Sequence, residues 1–410
     1  MDHDELPTYH ERLAELASRI EECGSLGVMV VDASELEVIE NEYGHGIHQE
    51  LRDRVVSLLR EHQGRDYRQG DFWALDRPNG LRLLLFLERK RRKNVPFSHS
   101  DFKSLRARLL ATIVPSMVRA SRPFLKMTPR IDVSHGLALA NPLVHPARII
   151  DRVLDDASEM ARYLRTADEL ASKERLQDLI VRDRVMTAFQ PILLLRDRTV
   201  LGFEALSRGA RGSGLESADA LFGTAERHAL LIELDRLCRA RALLSAGRLP
   251  TNARVFVNTL PATIRDPTFR GKPLIDFLDR AQVSPDRIVI EITERLVIEN
   301  YAMFRDAMSD FTALGMSFAV DDVGAGYSGL ELIARLHPHF LKIDMALVRN
   351  VHTSVVNQAM VKAIVTMSRA IGATVIAEGI HSQDELAMLD QLGVDFGQGF
   401  FLARPNLVGE

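Results

Sequence analysis

The feature that most constrains the fold is a series of short apolar runs in the second half of the chain, each ending in a polar residue. The runs are LGFE, VFVN, RIVIE, FAVD, FLK, VIAE and DFGQ, which end at Glu204, Asn258, Glu291, Asp321, Lys342, Glu378 and Gln398. Amphipathic helical stretches, such as 218–244 and 355–372, lie between them. Such alternation is typical of parallel strands, and seven or eight units in about 220 residues favour a TIM-type barrel over an open sheet.

The polar residues at the run ends predict a metal site. The carboxyl ends of TIM-barrel strands carry the chemistry, and four carboxylates gathered there repel one another unless a cation lies between them. Oxygen ligands without His or Cys favour Mg²⁺, Mn²⁺ or Ca²⁺. The pair Asp321-Asp322 can reach two metals if the chain turns at the strand end, and two metals suit attack on a phosphodiester. Lys342 adds a fixed positive charge.

A single acidic residue at a strand end often does no more than cap the next helix. Seven polar run ends in order argue against that interpretation for the whole set. The pattern therefore predicts a metal-dependent barrel enzyme acting on a phosphate ester, and it does not name the substrate.

The chain divides into three predicted regions: an α/β domain over 1–150, a helical connector over 151–186 and the barrel over 187–410. The connector region can also be interpreted as the last helix of the first domain. Within 1–150 we predict a lead-in helix (8–23), a buried strand (26–34), a helix (about 42–62), a hairpin (72–75 and 81–88), a helix (about 101–119) and a strand (131–140).

Composition excludes several classes of protein. No apolar run approaches the roughly 18 residues of a membrane helix, and the acidic N-terminus has no signal-peptide core. Cys23 and Cys238 give neither a disulfide framework nor zinc-ligand spacing. The net charge of −4 gives no reason to expect a nucleic-acid partner. We therefore expect a cytoplasmic protein. The basic run RKRRK (89–93) is interpreted as a solvated loop, with a phosphate-binding patch as the alternative.

The same segments resemble the EAL-domain cyclic di-GMP phosphodiesterases, a family named for the triplet found here as Glu204-Ala205-Leu206. The matching segments are FQPILLLRDRTVLGFEALSR, VFVNTLP, IVIEITER, FAVDDVGAGYSGL, FLKID, VIAEGI and LGVDFGQGFFLARP, in the family's order. The resemblance implies a modified TIM (β/α)8 barrel, often a homodimer. It also implies cleavage of cyclic di-GMP to the linear dinucleotide pGpG with two Mg²⁺ or Mn²⁺ ions.

The resemblance further implies roles for individual residues. The implied metal ligands are Glu204, Asn258, Glu291, Asp321 and Asp322. The residues implied in catalysis are Glu204, Lys342, Glu378 and Gln398, of which Glu378 matches either a general base or a metal ligand. The implied substrate contacts are Gln190, Leu206 and Arg208, and Glu294 matches a glutamate that steadies the loop after the aspartate pair.

Two segments depart from the family pattern. The loop DDVGAGYSGL stands where DDFGTGYSSL is usual, so it lacks an aromatic anchor and a hydroxyl and gains a glycine, which should loosen it. His381 replaces a carboxylate and cannot reproduce its acceptor-only hydrogen bonding. We expect these changes to affect the rate more than the fold.

The first domain resembles the GGDEF diguanylate cyclases in a degenerate form, through segments 30–45 and 68–88. The residues Arg77-Pro78-Asn79-Gly80-Leu81 replace the signature pentapeptide. Asp32 matches one metal carboxylate, but Asn79 stands in place of the other, and Glu40 stands where a guanine-reading Asn is expected. We predict no cyclase activity. Arg68 and Asp71 match a product-inhibition motif, with a surface ion pair or turn as the alternative.

Two functions remain open from the sequence. One is an active cyclic di-GMP phosphodiesterase in which the cyclase-like domain is regulatory. The other is a non-catalytic cyclic di-GMP receptor that signals through a regulatory protein partner. The complete ligand set favours the first function, and the altered loop favours the second.

Overall fold

The computed structural model describes residues 6–87, 99–122, 124–125, 129–260, 264, 266–293, 301–324, 333 and 335–407. The chain divides into two compact units, Met1–Leu170 and Ala171–Glu410. Among the described residues, no helix combines the length and the apolar character needed to cross a bilayer. The basic run 89–93, Glu294 and the loop positions 325–330 lie outside the described residues.

The first unit is built on a four-stranded antiparallel sheet with the order β2-β3-β1-β4. Its strands are β1 (Ser25–Asp32), β2 (Phe72–Leu75), β3 (Arg82–Leu87) and β4 (Asp132–Leu139). Its helices are α1 (Leu13–Cys23), α2 (Val38–Tyr43), α3 (His45–His62), α4 (His99–Ala111) and α5 (Ile113–Ser121). The element types predicted for the first domain are confirmed, with two differences: the lead-in helix begins as a 3-10 turn at Tyr9–Arg12, and the helix predicted over about 101–119 is divided into α4 and α5.

Strand β1 is buried on both faces because hydrophobic cores lie on both sides of the sheet. Met29 and Val31 contribute to one core, and Val28 and Val30 contribute to the other. This alternation follows from the two-residue period of a strand. The predicted hairpin pairs β2 with β3, and its turn holds Asn79 at a φ of 61°, in the left-handed region that asparagine tolerates.

Helix α6 (Pro146–Val181) spans the division between the two units. The helical character predicted for this charged segment is confirmed. Its role as a connector remains a prediction.

The second unit is an eight-stranded closed barrel. Its strands are β5 (Val185–Leu194), β6 (Val200–Gly209), β7 (Arg254–Asn258), β8 (Ile288–Thr293), β9 (Ser317–Val323), β10 (Phe340–Ile343), β11 (Thr374–Ala377) and β12 (Phe396–Gly397). Each strand pairs with the next, β12 pairs with β5 to close the barrel, and β13 (Asn406–Leu407) adds to β5. The prediction of a closed barrel in the second half of the chain is confirmed.

The helices of the second unit alternate with the strands. They are α7 (Ala218–Arg227), α8 (Leu231–Ala246), α9 (Gly271–Ala281), α10 (Tyr301–Ala313), α11 (Met345–Val348), α12 (Val355–Ile371) and α13 (Gln383–Gln391). The helical stretch predicted over 218–244 forms two helices, because the chain breaks between α7 and α8, where Ala229 has a φ of 55°.

Strand β5 precedes the seven runs for which parallel strands were predicted, and it does not share their direction. It is antiparallel to both β6 and β12, whereas β6 to β12 are parallel to one another. The connection from β5 to β6 is too short to hold a crossover helix, so the two strands form a hairpin.

Candidate active site

The barrel places the predicted residues together through the two-residue period of its strands. A layer of apolar side chains fills the interior and includes Ile192, Phe256, Val289, Ala319, Phe340, Ile376 and, packed against them, Phe396. On each of β7 to β12, the residue two positions after the member of this apolar layer belongs to the site. These residues are Asn258, Glu291, Asp321, Lys342, Glu378 and Gln398. Because β5 runs the opposite way, its site residue, Gln190, comes two positions before Ile192. The site therefore forms the next layer toward the carboxyl end of the barrel.

Lys342 lies at the centre of four carboxylates. Its Nζ atom is 2.6 Å from Glu378 Oε1, 2.8 Å from Glu291 Oε1, 3.2 Å from Asp321 Oδ1 and 3.4 Å from Glu204 Oε2. Lys342 and Glu291 are fully buried, and Glu204 and Asp321 are nearly so. One lysine thus faces four carboxylates, which leaves the cluster strongly negative.

Burial and mutual repulsion shift the titration of these groups. Burial raises the pKa of Glu291 well above its ordinary value, and the neighbouring carboxylates Glu204 and Asp321 raise it further, against Lys342. Burial and Asp321 raise the pKa of Glu378 in the same way. Burial alone would lower the pKa of Lys342, but Asp321, Glu204, Glu291 and Glu378 together raise it well above its ordinary value. The lysine therefore stays charged.

A β-bulge turns both aspartates of the adjacent pair toward the site. Between Leu341↔Val320 and Ile343↔Val323, two residues of β9 face the single residue Lys342 of β10. Asp322 has a φ of 57°, and its backbone N–H donates to Asp321 Oδ1 at 3.0 Å. Burial, followed by the charges of Asp321 and Asp344, raises the pKa of Asp322 to about 6.

Amide side chains fix the carboxylate of Glu204. Gln398 Nε2 donates to Glu204 Oε2 and also to Gln190 Oε1, at 3.1 Å in the second case. Gln190 Nε2 donates to the carbonyl of Ala403 at 3.0 Å, and Asn258 Nδ2 is 3.3 Å from Glu204 Oε1. Glu204 itself lies in the middle of β6, since the strand continues to Gly209 through its pairing with β5.

The carboxylates fit divalent cations. Two overlapping groups, Glu204–Glu291–Asp321 and Asp321–Asp322–Glu378, each bring three carboxylate oxygens within 4.8 Å of one another. Apart from the ion pair between Glu291 Oε1 and Lys342, the carboxylate of buried Glu291 has no hydrogen-bond partner among the described residues. Buried, unsatisfied oxygens in an excess of negative charge are the donor set that Mg²⁺ or Mn²⁺ prefers.

A cleft of about 410 Å³ opens onto this cluster. Gln190, Glu204, Leu206, Asp322, Glu378 and Gln398, all predicted as site residues, contribute to its wall. The wall also contains residues to which the sequence analysis assigned no role, namely Asp344, Met345, Arg349, Gly379, Gly399 and Phe400. Asp344 could have been found from its place in FLKID, whereas Arg349 has no comparable sequence signal.

His381, which replaces a carboxylate of the family pattern, also lines the cleft, so the replacement changes the wall of the site. Its backbone N–H donates to Glu385 Oε2 at 2.8 Å, and its ring lies 6.1 Å from that of Phe400. Gly399 holds this part of the wall close to Ile380, because a Cβ atom on Gly399 would lie 2.2 Å from the carbonyl oxygen of Ile380.

Three predicted residues, Arg208, Arg68 and Asp71, are not among the residues that form the acidic cluster or line its cleft. Arg208 follows Leu206 on β6, and its guanidinium donates to the carbonyl of Ser207 at 2.8 Å. Asp71 Oδ2 accepts a hydrogen bond from the backbone N–H of Arg68 at 2.8 Å, which stabilises a turn. That contact is the one expected from the turn alternative, and the product-inhibition reading of Arg68 and Asp71 stays untested.

In the first unit, Asp32 and Asn79, the two residues that the sequence analysis compared with cyclase metal ligands, both make local contacts. Asp32 Oδ1 accepts hydrogen bonds from the backbone N–H and the hydroxyl of Ser34. Asn79 Oδ1 accepts one from Arg52 Nη1 at 2.7 Å. An amide paired with an arginine cannot replace a carboxylate as a metal ligand of the same charge.

The fold and the site together define a closed-barrel protein with an acidic centre, suited to divalent cations, at one end of the barrel. The chain belongs to the EAL domain family, whose model matches residues 173–405, more than half of the chain.

Two curated relatives illustrate the range of this family. The chain is 27% identical over 402 residues to the cyclic di-GMP phosphodiesterase PdeR of Escherichia coli, which covers 93% of this chain and 57% of PdeR. It is 29% identical over 223 residues to the blue light- and temperature-regulated antirepressor BluF of the same species, which covers 54% of each chain. The chain thus spans little more than half the length of either relative.

A solved structure confirms the fold. The EAL domain of Xanthomonas citri FimX, solved in complex with c-diGMP, matches with a TM-score of 0.55 and 23% identity. The match covers 60% of this chain and 97% of that one. At this identity the likeness concerns the fold alone.

Proposed function

We propose that the barrel hydrolyses cyclic di-GMP to the linear dinucleotide pGpG. The main supporting observation is that four carboxylates and one lysine lie together beside an open cleft. They are Glu204, Glu291, Asp321, Asp322 and Lys342. The name of PdeR, which aligns with nearly the whole chain, supports the same reaction.

The proposed metal ligands are Glu204, Asn258, Glu291, Asp321 and Asp322. Two overlapping carboxylate groups that share Asp321 suit two divalent cations, Mg²⁺ or Mn²⁺. When bound, these cations would neutralise the cluster and act as Lewis acids toward the phosphodiester.

Glu378 is the proposed general base. It lines the cleft and is partly exposed, and burial together with Asp321 raises its pKa, so its carboxylate takes up a proton more readily than an ordinary glutamate. It accepts a proton from the attacking water as the new phosphorus–oxygen bond forms. The bond from phosphorus to the 3′ oxygen breaks, that oxygen leaves as a hydroxyl by taking a proton from a solvent water, and Glu378 returns its proton to the solvent.

The remaining residues position the groups that react. Lys342 holds a fixed positive charge beneath the reacting phosphate. Gln398 and Gln190 keep the Glu204 carboxylate in one orientation through their hydrogen bonds. Leu206 and Arg208 are proposed to contact the substrate, Arg208 after its guanidinium leaves the Ser207 carbonyl.

The first unit is proposed to be a degenerate GGDEF-like domain in a regulatory role. Its supporting observation is the Asn79–Arg52 pair at the position of a metal carboxylate. The proposed domain bounds are 1–150, 151–186 and 187–410, and association into a homodimer remains a family-based proposal.

The test is product analysis of the full chain. Cyclic di-GMP incubated with Mg²⁺ or Mn²⁺ is expected to give pGpG, and a chelator should stop the reaction. Glu204→Ala should lower the rate by more than about a hundredfold, because it removes a metal ligand. Glu226→Ala, an exposed glutamate on α7, is the matched control and should leave the rate unchanged.

The second function, a non-catalytic receptor, predicts a different result. The departure of the 323–330 loop from the family pattern and the name of BluF favour it. Tight binding of cyclic di-GMP without product, unaffected by Glu204→Ala, would establish the receptor and exclude the phosphodiesterase.

A further inference from the structure

A second cleft, of about 390 Å³, lies away from the acidic centre, between α8, α9 and the residues just before α9. Its wall combines the arginines Arg236, Arg239 and Arg280 with the aromatic rings of Phe269 and Phe277. The proposed hydrolysis uses none of these residues.

Arg239 is the main reason to regard this cleft as a binding site. The residue is 2% exposed, and its Nε atom donates to Asp235 Oδ2 at 2.8 Å. Its Nη1 and Nη2 atoms donate no hydrogen bond to any residue in the described part of the chain. A buried guanidinium with unsatisfied N–H groups is unfavourable, so an acceptor at this point would be stabilising.

Asp266 cannot supply that acceptor fully. Its Oδ1 atom accepts hydrogen bonds from the backbone N–H and the hydroxyl of Thr268, at 2.9 and 2.7 Å. Its Oδ2 atom forms ion pairs with Arg236 Nε at 3.0 Å and with Arg239 Nη2 at 3.5 Å but accepts no hydrogen bond from a described residue, and it forms no such pair with Arg239 Nη1. With Arg280 at the same cleft, three arginines face two aspartates, Asp235 and Asp266, and positive charge remains.

The aromatic residues indicate which kind of ligand fits the cleft. The guanidinium carbon of Arg239 lies 4.1 Å from the centre of the Phe269 ring, and that of Arg280 lies 5.9 Å from the centre of the Phe277 ring. A guanidinium over an aromatic ring keeps its in-plane N–H groups available, which for Arg239 are those of Nη1 and Nη2. The half-buried ring of Phe277 offers apolar surface to a planar group.

We propose that this cleft binds a nucleoside monophosphate. Phosphate oxygens accept hydrogen bonds from Arg239 Nη1 and Nη2, with Arg236 and Arg280 adding charge, and the base packs against Phe277. Phosphate suits converging guanidiniums because it offers several acceptor oxygens in a geometry that arginine matches. The site is independent of the proposed hydrolysis.

Calorimetric titration of the full chain with GMP tests the proposal, with a chelator present to keep divalent cations from the acidic centre. Saturable binding of one GMP is expected. Guanosine and inorganic phosphate should each bind at least about tenfold more weakly, because each lacks one of the two contacts. Equal affinity for inorganic phosphate would overturn the role given to the aromatic wall.

Variants locate the site. Arg280→Glu, at an exposed residue, should weaken GMP binding by at least about tenfold through reversal of a charge at the cleft. Lys272→Glu makes the same reversal at an exposed residue of α9 outside the cleft and should leave the affinity unchanged, as should Glu204→Ala in the acidic centre. No saturable GMP binding, or binding lost in Glu204→Ala and kept in Arg280→Glu, would overturn the proposal.

Discussion

At the scale of single residues, the charge balance of the site depends on Lys342. The ammonium group is fully buried and lies within 3.4 Å of four carboxylates. Removing it would leave those carboxylates without a nearby cation among the described residues, and a buried charge that loses its partner is strongly destabilising.

Lys342→Met is therefore expected to lower the free energy of unfolding of the metal-free protein by about 3 kcal/mol. Mg²⁺ or Mn²⁺ should restore part of this loss, while turnover of cyclic di-GMP should stay abolished. Lys362→Met, at an exposed lysine of α12, is the matched control. Equal thermal stability of the two variants would contradict this view of the site.

The pH dependence of metal binding follows from Asp322. The pKa of its carboxyl is about 6 in the folded chain, above the value of about 3.9 for an unfolded Asp. The metal-free fold therefore holds this proton more tightly than the unfolded chain does. The carboxyl favours folding at low pH, and that contribution is lost as the pH rises through about 6.

Since a ligand carboxylate must lose its proton, the thermal shift produced by Mg²⁺ should grow between about pH 5 and pH 7. Asp322→Asn cannot titrate at this position and should show a smaller increase. A shift of equal size at both pH values in the unaltered protein would rule out this explanation.

The individual site residues differ in how far the sequence predicts them. Glu291, Asp321 and Lys342 could be predicted because each stands in a strand whose two-residue period fixes its direction. Arg349 and Phe400 could not, because they lie beyond the strands, where no period fixes the direction of a side chain.

At the scale of elements, the β9 bulge determines what the aspartate pair can do. Successive side chains of a regular strand point to opposite faces, and the bulge removes that restriction for Asp321 and Asp322. The sequence indicated that the chain can turn near this pair, but it did not predict that one residue would adopt a positive φ. That conformation depends on the pairing of β9 with β10, which is a tertiary contact.

Two substitutions at position 322 distinguish the strain of its positive φ from the role of its carboxylate. Asp322→Gly and Asp322→Ala both remove the carboxylate, so both should lose activity. Only glycine adopts a φ of 57° without strain, so the Gly variant should be more stable than the Ala variant by about 1 kcal/mol. Chemical denaturation measures the difference, and an Ala variant as stable as the Gly variant would show that the turn stores no strain.

At the scale of the whole molecule, the two units differ in the chemistry they retain. The barrel brings two overlapping groups of three carboxylates together, whereas in the first unit, which we propose to be cyclase-like, Asn79 pairs with Arg52 at the position proposed for a second acidic ligand. The alternation of strands and helices predicted the barrel from sequence. The reversed direction of β5 was missed, because the strand pattern alone does not give the direction of a strand that is followed by a tight turn.

The full chain is accordingly expected to convert no GTP to cyclic di-GMP in the presence of Mg²⁺, because the first unit lacks the second metal carboxylate. Chromatography of the reaction products measures this directly. Any cyclic di-GMP formed at a rate above that of a no-protein control would disprove the assignment of the first unit as inactive.

Anomalous diffraction from crystals grown with Mn²⁺ tests the central claim most directly. Two peaks are expected at the carboxylates of Glu204, Glu291, Asp321 and Asp322, about 4 Å apart. Glu204→Ala should weaken or remove the peak nearest that residue. Crystals of the unaltered protein at saturating Mn²⁺ with no peak among these side chains would contradict the account.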